Sequence, residues 1–383
     1  MNQLATVKTL QFKLYRHRRN RALKQQIDIA GIIWNHCIAL HRRYYRLTGK
    51  HINKFELMKH IAKLKKLDRY SFWKAVGSQA IQDVVERVAR AYTLFFNNLK
   101  RGVKTAPPKF KKVKKYKSFT LKQAGWKLLG GNKIRIQNKV YKFAKSREIN
   151  GGIKTVTVKR DNTGSLWLYF VVNDVIEVPN RTGHSAVGFD FGLKTFLTAS
   201  DGTTYDSPQF LKQALADLKQ ASRALSRKVR YSKGWFKAKR KVSAIHRRVV
   251  NRRRDWFFKL AHTLTDRYDY LFFEALNMKG MQALWGRKVG DLARSEFMAI
   301  LEWVALQKGN SVGYVDRFYP SSKKCHACGH INKALQLSDR VWRCPQCQTQ
   351  LDRDLNASIN ICTEGIRCCG LGDVRPALLA DPA

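Results

Sequence analysis

Two Cys-x2-Cys pairs, Cys325/Cys328 and Cys344/Cys347, stand fifteen residues apart toward the C-terminal end of the chain. No other local feature constrains folding as tightly. The stretch between the pairs must turn back so that four sulfurs meet, and such a set suits one tetrahedral zinc ion in a structural role. Shortly after the last cysteine comes Leu351-Asp352-Arg353-Asp354-Leu355-Asn356, which places two acids side by side in a chain that has few.

That scarcity carries information. Lys and Arg number 74 against 27 Asp and Glu, a formal net charge of +47. So much like charge opposes compaction unless a polyanion balances it, and nucleic acid is the expected partner ahead of an anionic membrane surface. No apolar run reaches the roughly 18 residues a membrane span needs. The N-terminus lacks a signal-peptide core, so a reducing, cytoplasmic setting is expected, with the paired cysteines holding metal and not disulfides. At 383 residues, more than one domain is the default.

Leu10, Phe12 and Leu14 alternate as in a strand. Leu23, Ile27, Ala30, Trp34, Cys37 and His41 then recur at helical spacing, as do Ile81, Val84, Val85, Val88, Ala91, Tyr92 and Phe95. These stripes predict a helical unit over residues 16–104, with Cys37 as a small core residue. From Pro107 to Phe119, lysines alternate with aromatics, a pattern able to meet phosphates and stack on bases. Strands are predicted at Lys133–Ile136, Lys154–Val158 and Leu166–Val172, with Asp161-Asn162-Thr163-Gly164 as a hairpin turn. Together they read as a small β-barrel interrupted by the helical unit. Beyond the Val178–His184 linker, Ala186–Gly202 reads as strand, tight turn and strand. Two antiparallel basic helices follow over about 208–270, then a strand ending in Glu274, a helix over 291–307 and a strand at Ser311–Val315. The tail, 371–383, is expected to be disordered.

Three acids stand out: Asp190, Glu274 and Asp354. The first two end apolar strands, where an unpaired carboxylate is costly without a cation or hydrogen-bond partner. Asp354 opens a small-residue helix. Carboxylates on neighbouring strands and a helix start can hold two Mg²⁺ ions, which prefer hard oxygen ligands and would activate water against a phosphodiester. Cys362, Cys368 and Cys369 lack a second pair at ligand spacing, and His326 and His330 flank a site four thiolates already fill.

The chain resembles the TnpB family, RNA-guided endonucleases of bacterial insertion sequences related to type V CRISPR effectors. The resemblance rests on Val187-Gly-Phe-Asp190-Phe-Gly-Leu-Lys194, Phe273-Glu274-Ala-Leu-Asn277-Met-Lys-Gly-Met281, Phe318-Tyr-Pro-Ser-Ser-x-x-Cys325-x-x-Cys328-Gly329 and Asp352-Arg-Asp354-Leu-Asn356-Ala-Ser-x-Asn360-Ile361, with weaker matches at Ala91–Phe96 and Pro108–Lys111. It implies an α/β multidomain protein. A RuvC-like nuclease domain of RNase H fold (181–324 and 349–370) would carry an inserted zinc ribbon (325–348). A wedge β-barrel (1–15 and 105–180) would hold a helical recognition insertion (16–104). It implies Asp190, Glu274 and Asp354 as catalytic Mg²⁺ ligands, the Asp-x-Asn pattern selecting Asp354 over Asp352. Guide RNA and target DNA would be the partners, and Gln82 and Thr120 match positions near the reader of a short target-adjacent motif. Two other readings stay open: a guide-independent RuvC-like nuclease, and a non-catalytic zinc-ribbon regulator that binds nucleic acid.

Overall fold

The computed structural model describes residues 2–179, 183–192, 195–275, 292–336, 338–371 and 374–377. Lys194 and the segment Asn277–Met281 of the motifs above lie outside the described residues. The chain divides into two compact units, Ala5–Val175 and the remainder.

In the Ala5–Val175 unit, strand β1 (Asn2–Lys13) leads into three helices, α1 (Asn20–Thr48), α2 (Lys54–Leu64) and α3 (Ser78–Lys100). The predicted stripes are their buried faces: Leu23, Ile27, Ala30 and Cys37 on α1, and Val84, Val85 and Val88 on α3, are fully enclosed. Asn53 and Glu56 form a reciprocal capping box at the start of α2, satisfying donors the first turn leaves free. His41 stacks between His51 and Tyr92, at centroid distances of 4.8 and 4.3 Å. Burial, and then His51, pushes the His41 imidazole down to about 4.

Strands β2 (Ser118–Leu121), β3 (Trp126–Leu128), β4 (Lys133–Ile136), β5 (Lys139–Lys142), β6 (Gly152–Arg160) and β7 (Leu166–Val178) complete this unit. They form two sheets, one ordered β1-β7-β6-β2 and one β3-β4-β5. An isolated bridge, Leu14 to Phe143, links them, and Phe12, Phe143 and Phe170 pack within 6 Å of one another between them. The β6–β7 hairpin turns at Asp161–Gly164 as expected: the Asp161 carboxylate accepts from Thr163, Ser165 and Trp167, and Gly164 supplies φ +83°.

The Pro107–Phe119 segment departs from expectation. Tyr116 and Phe119 are core residues, so their rings are not open to bases. The chain here is pinned to α1: Trp34 donates to the Lys109 carbonyl, and the Lys111 ammonium lies 3.5 Å over the Trp34 ring. Tyr116 and Phe119 thus turn into the core, while Phe110 stays exposed.

The second unit is built on β8 (Ser185–Asp190), β9 (Thr195–Ala199), β10 (Thr204–Asp206), β11 (Tyr270–Glu274) and β12 (Ser311–Val315), in the order β10-β9-β8-β11-β12. The first three strands form an antiparallel meander, while β11 and β12 run parallel to β8. Between β10 and β11 come α4 (Phe210–Gln213), α5 (Leu215–Ser226) and the 35-residue α6 (Lys233–Arg267). Helix α7 (Arg294–Lys308) precedes β12. A two-stranded ribbon, β13 (Val341–Arg343) with β14 (Gln350–Asp352), then leads directly into α8 (Arg353–Cys369). Phe189, Phe196, Phe257, Phe273 and Phe297 are fully buried in the main core. Part of the expected disordered tail is ordered: β15 (Arg375–Pro376) pairs with β8 through Arg375 N–H to His184 and Ala377 N–H to Ala186. An unpaired edge of β8 is what recruits it. Residues 372–373 and 378–383 lie outside the described residues.

Candidate active site and metal centre

The sheet register places the first two acids. β8 and β11 are parallel neighbours that pair Phe189 with Phe273, which sets Asp190 beside Glu274 at the C-terminal ends of both strands. The third acid arrives on α8. That helix lies so close to β8 that a Cβ on Gly188 would overlap the Ser358 carbonyl and the Cys362 amide. Gly365 allows the same approach to the Phe272 ring. The glycine in Val187-Gly-Phe-Asp190 is therefore a packing requirement that brings the first turn of α8 to the end of β8.

The two aspartates at that turn differ in what they touch. The Asp352 carboxylate accepts from Leu355 N–H at 2.9 Å and caps the helix. Asp354 lies in the first turn and is met by Arg340, 3.2 Å from its carboxylate. Asp190 feels both of the other acids. Loss of hydration pushes its carboxyl up to about 7, with the charges of Glu274 and then Asp354 adding to the effect. The structure thus places Glu274 and Asp354 within electrostatic reach of Asp190 and gives Asp352 a capping task.

Three further residues complete the surroundings, and no spacing rule in the sequence pointed to them. Ser321 donates to Glu274 Oε1. Arg294 is buried, donates at 2.5 Å to the Glu274 carbonyl and lies 4.0 Å over the Phe191 ring. Burial lowers its guanidinium to about 10 despite the pull of Glu274 and Asp190. Arg340 neutralises part of Asp354. An open cavity of about 670 Å³ borders Glu274 and Arg294 and is lined also by Tyr314, Asp316 and Arg317.

The cysteine site is closed. The four thiol sulfurs lie within 4.8 Å of one another, with Cys325–Cys347 at 3.7 Å and Cys328–Cys344 at 3.6 Å. Zinc–sulfur bonds of about 2.3 Å in a tetrahedron require sulfur–sulfur edges of about 3.8 Å, so the four residues fit zinc. The two knuckles repeat one geometry. Cys325 and Cys344 each accept, through the carbonyl, from the residue four positions on, Gly329 and Gln348, and both of those have positive φ. Hydrogen bonds from Thr349 hold the Cys347 thiol down at about 6, favouring the thiolate a metal needs.

The same helix that carries Asp354 also fastens the ribbon. Asn356 accepts from His326 N–H and donates to the Lys324 carbonyl at 2.8 Å, and Asn360 donates to the carbonyls of Ser321 and Lys324. These asparagines hold the segment running from Ser321, which touches Glu274, into the first zinc knuckle.

In the Ala5–Val175 unit, Gln82 is exposed on α3. Next to it, Asp83 accepts from Thr120 N–H, and the Thr120 hydroxyl meets Arg87 and Thr157. The two residues therefore lie near each other, with Thr120 already engaged.

Two family models match the chain, "OrfB_IS605: Probable transposase" over residues 167–284 and "Cas12f1-like, TNB domain" over 295–361. A Streptomyces pristinaespiralis protein named as an RNA-guided DNA endonuclease is 28% identical over 362 residues, covering 92% of this chain and 88% of its own. InsQ of Escherichia coli (strain K12), similarly named, is 26% identical over 359 residues, 88% of this chain and 87% of its own. Over most of its length the chain is thus similar to proteins named as RNA-guided DNA endonucleases. Its fold is shared with a solved structure: a Cas12f1 chain, solved by cryo-electron microscopy in a complex with sgRNA and target DNA, superposes with TM-score 0.56 at 13% identity, covering 93% of this chain and 98% of that one. Among the described residues, no helix is long and apolar enough to cross a membrane.

Proposed function

We propose that this chain is an RNA-guided, metal-dependent endonuclease that cuts DNA beside a short motif, and that it serves an insertion sequence. The observation that carries the reading is the convergence of Asp190, Glu274 and Asp354 from two strand ends and a helix start. The order β10-β9-β8-β11-β12, a meander continued by two parallel strands, suits a RuvC-like domain of RNase H type over 181–324 and 349–370. Residues 1–15 and 105–180 would be the wedge barrel and 16–104 the recognition insertion, with Gln82 and Thr120 beside the motif.

Asp190, Glu274 and Asp354 suit Mg²⁺: all three offer hard oxygen ligands, and the Asp190 carboxyl, raised first by loss of hydration and then by the charges of Glu274 and Asp354, is one whose ionised form a divalent cation would favour. When bound, a Mg²⁺ pair supplies water of lowered pKa and neutralises the leaving oxygen. The chain's own residues do the rest. Ser321 fixes one Glu274 oxygen. Arg294 anchors the backbone beneath Glu274. Arg340, mostly exposed, balances Asp354 while no cation is near. The +47 charge calls for a polyanionic partner throughout, and guide pairing would supply most of the sequence choice.

Reprogramming tests the reading. Changing only the variable segment of the co-purified RNA, and offering a matching DNA beside the permitted motif, should move the cut to the new site. Cutting that stays at the old site, or proceeds equally well without RNA, would return the protein to the guide-independent class.

A further inference from the structure

The hairpin of α5 and α6 has no assigned task. Residues 218–254 hold fifteen Lys and Arg and no Asp or Glu. Only the second half of α6 enters the main core, through Phe257, Leu260, Ala261 and Leu264. The first half packs on α5 around Ile245 and Leu218. A chain of contacts fixes its level against the acids. Arg253 and Arg254 both reach Glu296, at 3.0 and 3.5 Å, in the first turn of α7, and Arg294 in that turn donates to Glu274. About 20 residues of α6 precede Arg253, so at 1.5 Å per residue the start of the helix stands about 30 Å from the level of the acids.

The far end is aromatic. Tyr231 has φ +73°, a conformation costly for a ringed residue. The Ser232 hydroxyl caps α6 by accepting from Trp235 N–H at 3.0 Å, which fixes the turn. Tyr231 and Trp235 lie 5.4 Å apart, and Trp235 and Phe236 5.1 Å. Arg230 sits 5.3 Å over Tyr231, and Lys239 5.0 Å over Trp235. Tyr231 is 49% and Phe236 38% exposed. A strained, capped turn that holds rings outward among cations is the arrangement that stacks nucleobases while pairing phosphates.

We propose that the Tyr231–Trp235–Phe236 tip is a stacking platform for a nucleobase of the bound target DNA, about 9 nucleotides from the cut at 3.4 Å per step. DNA is the occupant because the arm rises from the level of the acids, over which the cut strand must pass. A protein partner would have to balance the thirteen cations of residues 218–252, a stretch with no carboxylate of its own. The inference rests on the guided-nuclease reading for the presence of DNA at that edge.

The test uses the whole ribonucleoprotein carrying Asp190→Asn, so that DNA stays uncut. 2-Aminopurine is placed at successive positions of the target. Fluorescence should be quenched at one or two adjacent positions about 9 nucleotides from the cut. The pair Tyr231→Gly and Trp235→Ala should remove that quench and weaken DNA binding about ten-fold, while Trp235→Phe keeps both. If the pair does not fold, Trp235→Gln beside an intact Tyr231 gives the same reading. Quenching that survives loss of the rings, appears at no DNA position, or comes only from 2-aminopurine in the RNA overturns the proposal. A complex that ignores its guide but still quenches on DNA would sink the guided reading and leave the platform standing.

Discussion

The cysteine site and the carboxylate site are both assemblies of anionic ligands, a few residues apart in sequence at Cys347 and Asp354, yet they are built in opposite ways. The four cysteines come from 23 consecutive residues, turn inward on two matching knuckles and leave no ligand position open. The three acids come from positions 190, 274 and 354, Glu274 alone of them borders the open cavity, and two of them are met by a neighbour, Glu274 by Ser321 and Asp354 by Arg340. A closed thiolate set stabilises a fold. An open carboxylate set keeps unsatisfied charge available for exchangeable cations and substrate. On the function proposed above, the first site would use metal as structure and the second metal as reagent.

The largest effect expected from breaking this contrast is at the acids. Asp190→Ala, Glu274→Ala and Asp354→Ala should each lower cleavage by on the order of a thousand-fold or more, because groups acting as a unit each show nearly the full loss. Filter binding should show nucleic-acid affinity largely kept. One acid whose removal leaves wild-type cutting would split the unit.

Next comes the zinc. Elemental analysis should find one ion per chain, and Cys328→Ser should expose residues 325–347 to protease and weaken target engagement, since the ribbon's own core is small: Leu335, Trp342 and Leu351 beside two of the cysteines. A zinc-free, protease-resistant ribbon would mean the thiols are not a metal site.

Gly188→Ala should come third. The added methyl must displace the α8 backbone, at roughly 1–3 kcal/mol of overpacking. It should lower cleavage more than zinc content, because it moves Asp354 relative to Asp190. Equal losses of both would place the strain in the ribbon instead.

A subtler effect concerns charge. Asp190 titrates in the fold near 7, above its unfolded value. Between those two values the folded state binds more protons, so without Mg²⁺ this group's contribution to stability falls as pH rises toward and through 7. The depressed histidines of the other unit act in the opposite sense, losing stability as pH falls below about 6.5. The reading is therefore the difference between wild type and Asp190→Asn in Mg²⁺-free melting curves from pH 5 to 8. The gap should open with rising pH and close on adding Mg²⁺; a constant gap would remove the charge argument.

The smallest effect should be at Asp352. Replacing this cap by Ala should cost about 1 kcal/mol of helix stability and leave most of the cutting. Loss of cutting equal to that of Asp354→Ala would exchange the two roles.

What the sequence disclosed follows the same division. The cysteine spacing is local, so it reads directly. Asp190 and Glu274 showed themselves as charges ending apolar strands and Asp354 as an acid at a helix start, and the helical stripes and the Asp161–Gly164 turn are equally local patterns. Tertiary roles did not show. Nothing in the spacing of Asn356 and Asn360 says that they grip the carbonyls of Ser321 and Lys324. Arg294 and Arg340 were two among 74 cations. Tyr116 and Phe119 looked like exposed stacking residues because alternation with lysine cannot tell which side a fold will cover. The strand at Arg375–Pro376 has no periodicity at all; it exists because β8 offers it an edge.

The asparagine clasp on α8 makes the two metal regions thermodynamic neighbours. Asp354 and the grip on the zinc knuckle belong to one rigid helix, so any cation that prefers one placement of that helix biases the other site. Such coupling is reciprocal: whatever factor zinc occupancy contributes to Mg²⁺ affinity, Mg²⁺ returns to zinc retention. On the proposed reading, a structural ion would thereby act as an effector of the reaction centre, and zinc loss would raise the Mg²⁺ requirement as the ribbon loosens.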